Sequence, residues 1–347
     1  MKQWILWGLW GSTMVLAGVL VWRSNAPAER PADVPATPAV STPALAPSPE
    51  PFVRGPIKPI PLSMALDPAK VKLGERLFHD TQLSSDRSVS CASCHDLARG
   101  GADGRRVSLG VNGAEGELNA PSVLNSGFNF RQFWDGRAAD LHSQVDGPIT
   151  HPSELASSWE QVLARLSTDD TYVSAFETLY PEGLVADSVR DAIATFETSL
   201  ITPNSRFDRF LRGETEALTN SERAGYQLFL DIGCVTCHQG VNIGGNMFQV
   251  FGQLGNYFED RGVTTKADMG RFNITGREQD KHRFKVPSLR NVQLTAPYLH
   301  DGSVLELGEV VTVMARYELG AELEVDEVAQ IVAFLHSLTG KLSIPEN

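Results

Sequence analysis

Cysteine is scarce in this chain. Its 347 residues include four, and all four fall in two pentapeptides, Cys91-Ala92-Ser93-Cys94-His95 and Cys234-Val235-Thr236-Cys237-His238. No cysteine remains to staple the fold elsewhere, and a Cys-x-x-Cys loop is too strained to act as an ordinary structural disulfide. Positive charge is also short. The net charge is −12, which makes nucleic acid a poor partner and would attract a basic redox partner from a distance. Runs of alternating apolar and polar residues are few, which argues against a β-rich fold and predicts a mainly α one.

The uncharged, mostly apolar run Trp4 to Trp22 lies between Lys2 and Arg23 and carries tryptophans near both ends. Its length suits one transmembrane helix with interfacial aromatics. Ala26-Pro27-Ala28 loosely resembles a cleavage site, so a removed signal peptide is the alternative. The run is long for that role, and residues 1–25 are read as an uncleaved inner-membrane anchor. Either reading exports the body to the periplasm. Residues 26–61 hold eleven of the 20 prolines and read as a semi-extended tether.

Each pentapeptide reads as a covalent c-type haem attachment. Two intervening residues bring both sulfurs to the vinyl groups on one edge of a porphyrin, and the next residue, His95 or His238, then reaches the iron. A Cys₄ zinc site also uses Cys-x-x-Cys pairs, but it leaves both histidines unexplained. Haem attachment of this kind belongs outside the bacterial cytoplasm, in agreement with export.

The body repeats one plan. Gly74-Glu75-Arg76-Leu77-Phe78-His79-Asp80 precedes the first motif and Gly225-Tyr226-Gln227-Leu228-Phe229-Leu230-Asp231 the second, both with apolar residues at helical spacing. Asp67-Pro68 and the capping box Thr219-Asn220-Ser221-Glu222 open these helices, and Gly233 sits at a C-cap position. After each motif, Pro121-Ser122-Val123-Leu124-Asn125 leads to Trp134-Asp135-Gly136, and Pro287-Ser288-Leu289-Arg290-Asn291 leads to His300-Asp301-Gly302. The Pro-to-Asp distance is 14 residues in both. Ile193, Phe196, Ser199 and Leu200 match Ile331, Phe334, Ser337 and Leu338 in a closing amphipathic helix. The body is therefore read as two tandem cytochrome c-like domains, 62–203 and 204–347.

The difference between the halves lies at the sixth iron position, where a second strong ligand makes an electron carrier and an open site allows oxygen chemistry. Met314, in the apolar run Leu307 to Tyr317, is the candidate for the second haem, ahead of Met247, Met269 and Tyr317; a gap-filling core methionine is the plain alternative. Met314 lies 13 residues beyond Asp301, and 13 beyond Asp135 is Pro148. Proline has no donor atom, so an open face is expected on the first haem. Nearby stand Gln144, able to orient a peroxide, and Glu154, able to move a proton between its oxygens; both residue types are also common in solvated loops. His142 and His151 are the side chains that could close the site instead.

Taken together, Phe133 through Ala138, Gln144 through Glu154, Phe284 through Asn291 and Thr295 through Gly302 resemble the bacterial dihaem cytochrome c peroxidase family, over about Leu66 to Thr339. The resemblance implies that hydrogen peroxide is reduced with electrons from a small periplasmic cytochrome c or blue-copper protein, and that the enzyme is a homodimer. It implies two haems c, with His95 the proximal ligand of the peroxidatic haem, Glu154 and Gln144 its catalytic pair, and His238 and Met314 the ligands of the high-potential haem. Trp134 matches a tryptophan between the haems, and Asn119, Thr295 and Pro297 match an interdomain calcium site. One departure stands out. Many members carry a displaceable histidine in the loop after the first haem, where this chain has Val111. The same superfamily contains an enzyme that matures a tryptophan-derived quinone cofactor, which lacks that histidine but ligates its second haem with tyrosine; Met314 argues against that reading. A dihaem electron carrier or redox sensor, with both irons six-coordinate, is the non-enzymatic alternative.

Overall fold

The computed structural model describes residues 55–343. The expected anchor at 1–25 and most of the tether lie outside the described residues. Within them the fold is mainly helical, and no helix is long and apolar enough to cross a membrane. Two strands, Phe248–Val250 and Arg283–Lys285, pair antiparallel with Phe248 opposite Lys285.

Each half is built on one helix crossing. The Pro68–Phe78 helix starts where Asp67 accepts from the N–H groups of Ala69 and Lys70 at 2.9 and 3.4 Å, with proline in its first turn. It packs against Ala186–Ser199. The Asn220–Asp231 helix opens with the reciprocal Thr219–Glu222 bonds at 2.8 and 3.3 Å and packs against Val325–Ser337. Gly74 and Gly225 occupy the same position of the repeat and sit at the two crossings. A methyl group on either would overlap a backbone carbonyl, that of Ala192 or of Gln330. Around these contacts Leu73 and Leu77 pack with Val189, Ala192 and Ile193, and Phe229 packs with Ile331, Phe334 and Leu335.

One meeting point of the halves is a buried threonine, Thr202. Asn125 and Asn291, equivalent in the repeat, are both left-handed, with φ 61° and 58°, and both donate a side-chain N–H to Thr202 Oγ1 at 2.8 Å. The chain end then returns to the first half: Ser343 N–H bonds the Ile201 carbonyl at 3.0 Å, and Leu342 packs with Val71, Phe78 and Phe196.

Residues 56–60, which the proline pattern assigns to the end of the tether, are bonded into the second half. Ile57 and Ile60 are buried. Gly240 N–H donates to the Pro56 carbonyl at 2.8 Å, and Ile60 N–H to Asp208 at 3.1 Å. Asp208 is paired with Arg290 at 2.8 Å, both side chains wholly buried, and Arg290 also reaches the Lys58 carbonyl at 3.0 Å. Proline density hid this ordered edge, because an extended segment with two isoleucines needs few backbone donors to dock.

Replacing Gly74 or Gly225 by alanine forces the helices apart and is expected to cost about 1–3 kcal/mol in chemical denaturation. Gly308→Ala, on a helix where the nearest neighbours of an added methyl are side-chain carbons at 3.5 and 4.0 Å, is the control and should be neutral or stabilising.

Candidate active site

The two motif histidines are held alike. His95 Nδ1 lies 3.2 Å from the Gly101 carbonyl and His238 Nδ1 lies 3.2 Å from the Ile243 carbonyl. A ring that donates from Nδ1 keeps Nε2 free as a metal ligand and fixes the ring plane. The carbonyls of Pro121 and Pro287, which begin the repeated Pro-Ser segments, also reach these rings. Ser122 and Ser288 anchor those segments by donating to the Gly100 and Asn242 carbonyls at 2.6 and 2.8 Å. Burial holds both imidazoles below their usual pKa, His238 at about 4, so the neutral, metal-binding form prevails.

A pocket borders the first motif. Cys91, Cys94 and His95 line it together with Gln144, Pro148 and Glu154. Two free thiols, one imidazole and the apolar side chains of Ile149, Leu155 and Ile193 fit a flat macrocycle joined by two thioethers. Haem therefore suits this donor set and its apolar lining.

Local structure explains how the other residues arrive there. Gln144 ends the short helix Leu141–Gln144, which Asp140 opens by accepting from Ser143 N–H at 2.8 Å. The next turn, Asp146–Thr150, carries Pro148; Trp159 and Arg190 both donate to Asp146, at 2.6 and 2.8 Å. Glu154 comes next, in a loop whose backbone is gripped from the other side. Val111 N–H donates to the Glu154 carbonyl at 2.9 Å, and Gly110 lies so close to the Ser153 carbonyl that a Cβ would collide with it. The Val111 side chain is buried. Burial raises the Glu154 pKa, while His151 and Arg137 pull it back down. His151 Nδ1 is 3.7 Å from the Glu154 carboxyl but accepts from Ser153 N–H, and so has no proton to give Glu154 in that tautomer. His142 pairs with Asp187 at 3.2 Å, and neither it nor His151 lines the cavity.

Glu197 lines the same cavity, and the sequence motifs did not point to it. It is 5% exposed, and its Oε2 has no hydrogen-bond partner. Burial pushes its pKa up to about 8, so it is mostly neutral at pH 7. A signal was present: Val189, Ile193 and Glu197 recur at four-residue spacing on the buried helix face, where an acidic residue is out of place.

In the second half, Met314 is half-buried on the Leu307–Leu319 helix. Tyr317, one turn later, is engaged elsewhere, donating its hydroxyl to Asp260 at 2.9 Å. Trp134 crosses from the first half into an aromatic cluster of the second, beside Phe251, Tyr257, Phe258 and Phe284, with Val313 in the same group. Its indole N–H donates to the Asn119 carbonyl at 2.9 Å, and Asn119 N–H donates to the His300 carbonyl at 2.8 Å. Thr295 and Pro297 belong to the segment that leads to His300. Asp268, His300 and Asp301 converge close by, but Arg261 already bridges both carboxylates and Asp268 bonds His300 at 2.7 Å.

The chain is similar to known proteins over most of the described residues. The family described as di-haem cytochrome c peroxidase matches residues 68–216. The chain is 50% identical over 286 residues to cytochrome c peroxidase Ccp of Escherichia coli K12, covering 82% of this chain and 61% of that one, so it spans under two thirds of that relative. It is 42% identical to cytochrome c551 peroxidase of Nitrosomonas europaea, covering 82% and 84%. A solved MauG-like protein associated with microbial copper homeostasis superposes with a TM-score of 0.72 at 29% identity, covering 85% of this chain and 95% of that one.

Glu197 makes a pH signature. Its folded pKa, about 8, lies above the unfolded value near 4.5, so the folded chain binds the extra proton between these limits. Its stabilising effect is fully present below pH 4.5 and is lost as pH rises through 8. Denaturation of the wild type should show this decline, at up to about 1.4 kcal/mol per pH unit, and Glu197→Gln should flatten it.

Proposed function

Because the chain belongs to the di-haem cytochrome c peroxidase family, we propose that it reduces hydrogen peroxide to two waters, using two protons and two electrons from a small periplasmic cytochrome c or blue-copper protein. The observation that carries this reading is the shared cavity, in which Gln144, Pro148 and Glu154 stand with Cys91, Cys94 and His95.

Cys91, Cys94 and His95 hold the peroxidatic haem; Cys234, Cys237, His238 and Met314 hold the electron-transfer haem, in domains 62–203 and 204–347. When bound, haem supplies the electrons and the position at which peroxide is reduced. Gln144 orients peroxide through its side-chain amide. Glu154 takes a proton from one peroxide oxygen and returns it to the other as the O–O bond breaks, a task suited to a carboxyl of raised pKa. Trp134 lies on the route between the halves, packed in the cluster that also holds Val313 beside Met314. Asn119, with the carbonyls of Thr295 and Pro297, holds calcium at this junction; oxygen ligands suit that ion. Residues 1–25 anchor the body to the inner membrane, and two copies form a homodimer.

Val111 offers no atom to iron, and its loop is already packed on the Glu154 backbone. The first haem is therefore open to peroxide without prior reduction of the second.

Glu154→Gln should lower kcat by about 10²–10⁴-fold with both haem spectra unchanged. The wild-type rate should rise with pH as Glu154 ionises, and the variant should lose that limb. Stopped-flow mixing of peroxide with fully oxidised and half-reduced wild type should give comparable first-turnover rates. Equal slow rates in both forms and in the variant would remove the peroxidase reading. An oxidised form that alone stays inert, with a low-spin bis-histidine EPR signal, would remove the constitutively open site.

A further inference from the structure

The short strand whose backbone bonds that of Trp134 also carries a cation without an anion. Lys285 is 6% exposed. Burial alone governs its ammonium, pulling the pKa down to about 8, and no acidic side chain among the described residues offsets that effect. Arg290, five residues on and just as buried, shows the usual solution: Asp208 stands 2.8 Å from it. An ammonium taken out of water without a counterion is strongly unfavourable, and a position selected for packing alone would be apolar.

The surroundings of Lys285 say where the missing anion belongs. Its N–H donates to the Trp134 carbonyl at 2.8 Å. Directly across the strand pair is Phe248, and directly opposed residues point to the same face of a ladder. The Phe248 ring lies 5.0 Å from that of Phe130 and fills the space beside Gly136, both in the first half. Two residues beyond Lys285, the Pro287 carbonyl reaches His238. Lys285 is thus a buried residue at the junction of the halves, its backbone bonded to that of Trp134 and two residues from the Pro287 support of His238.

Haem c carries two carboxylates on the side away from its thioether links. We propose that Lys285 is the built-in counterion of a haem carboxylate at this junction, and that its charge favours the reduced state of that haem. It is a positioning residue acting through electrostatics, and it rests on haem attachment alone, not on the peroxidase reading.

The test is an anaerobic redox titration of the full-length dihaem protein, with no peroxide present, following the two haems by their visible spectra. Lys285→Met keeps the stem and removes the charge; Lys285→Arg keeps the charge. In Lys285→Met the reduced-to-oxidised ratio of one haem at fixed potential should fall about tenfold, equivalent to 59 mV for one electron. Lys285→Arg should restore most of that loss. Unchanged potentials for both haems in Lys285→Met would overturn the proposal. Equal shifts in both variants would also overturn it, since packing would then be the cause. Should Lys285→Met be recovered with fewer than two haems, Lys285→Gln is titrated in its place under the same criteria.

Discussion

Two helix crossings with no side chain between them set the geometry of everything else. At Gly74 and at Gly225 a helix backbone lies directly against that of its partner, and a Cys-x-x-Cys-His motif follows the first helix of each pair, starting at Cys91 after Phe78 and at Cys234 after Asp231. The closeness of the crossing puts the closing helix beside the cavity, which is why Ile193 and Glu197 line the same space as Cys91 and His95. A larger residue at Gly74 would move the cavity wall, not merely loosen the core.

On that common frame the halves diverge through small changes. Both present a half-buried, neutral imidazole whose Nδ1 is satisfied by backbone carbonyls, and both use a Pro-Ser segment to supply part of that support. After the second Asp-Gly turn the chain forms a helix bearing Met314. After the first it forms a broken pair of short helices, with Pro148 at the corner and Glu154 beyond it. The Gly110–Val111 loop locks onto the Glu154 backbone, so the same contact that shapes the cavity also places its carboxyl.

Buried ionisable groups are handled differently in four places. Arg290 and Asp208 neutralise each other and dock the incoming segment 56–60. Arg261, Asp268, His300 and Asp301 form a closed network beside the aromatic cluster that holds Trp134. Among the described residues Glu197 and Lys285 have no protein counterion, one facing the cavity and one at the junction of the halves. Interiors rarely tolerate such groups without purpose, and both lie next to the sites that the cysteine motifs mark.

The amino-acid sequence alone determined the two Cys-x-x-Cys-His motifs, the internal repeat, the helical class and the capping of the helices that open each half, because these depend on spacing along the chain. It also pointed to Gln144, Pro148 and Glu154, which share a pocket with the first motif, since the repeat aligns Pro148 with Met314 and the other two lie within a few residues of it. Only the tertiary structure decided that Ile57 and Ile60 belong to the second half, that Asn125 and Asn291 converge on Thr202, and that Glu197 and Lys285 are buried without a counterion. Those facts depend on contacts between segments distant in sequence, and burial of a charge is a property of what surrounds it, which no local pattern records.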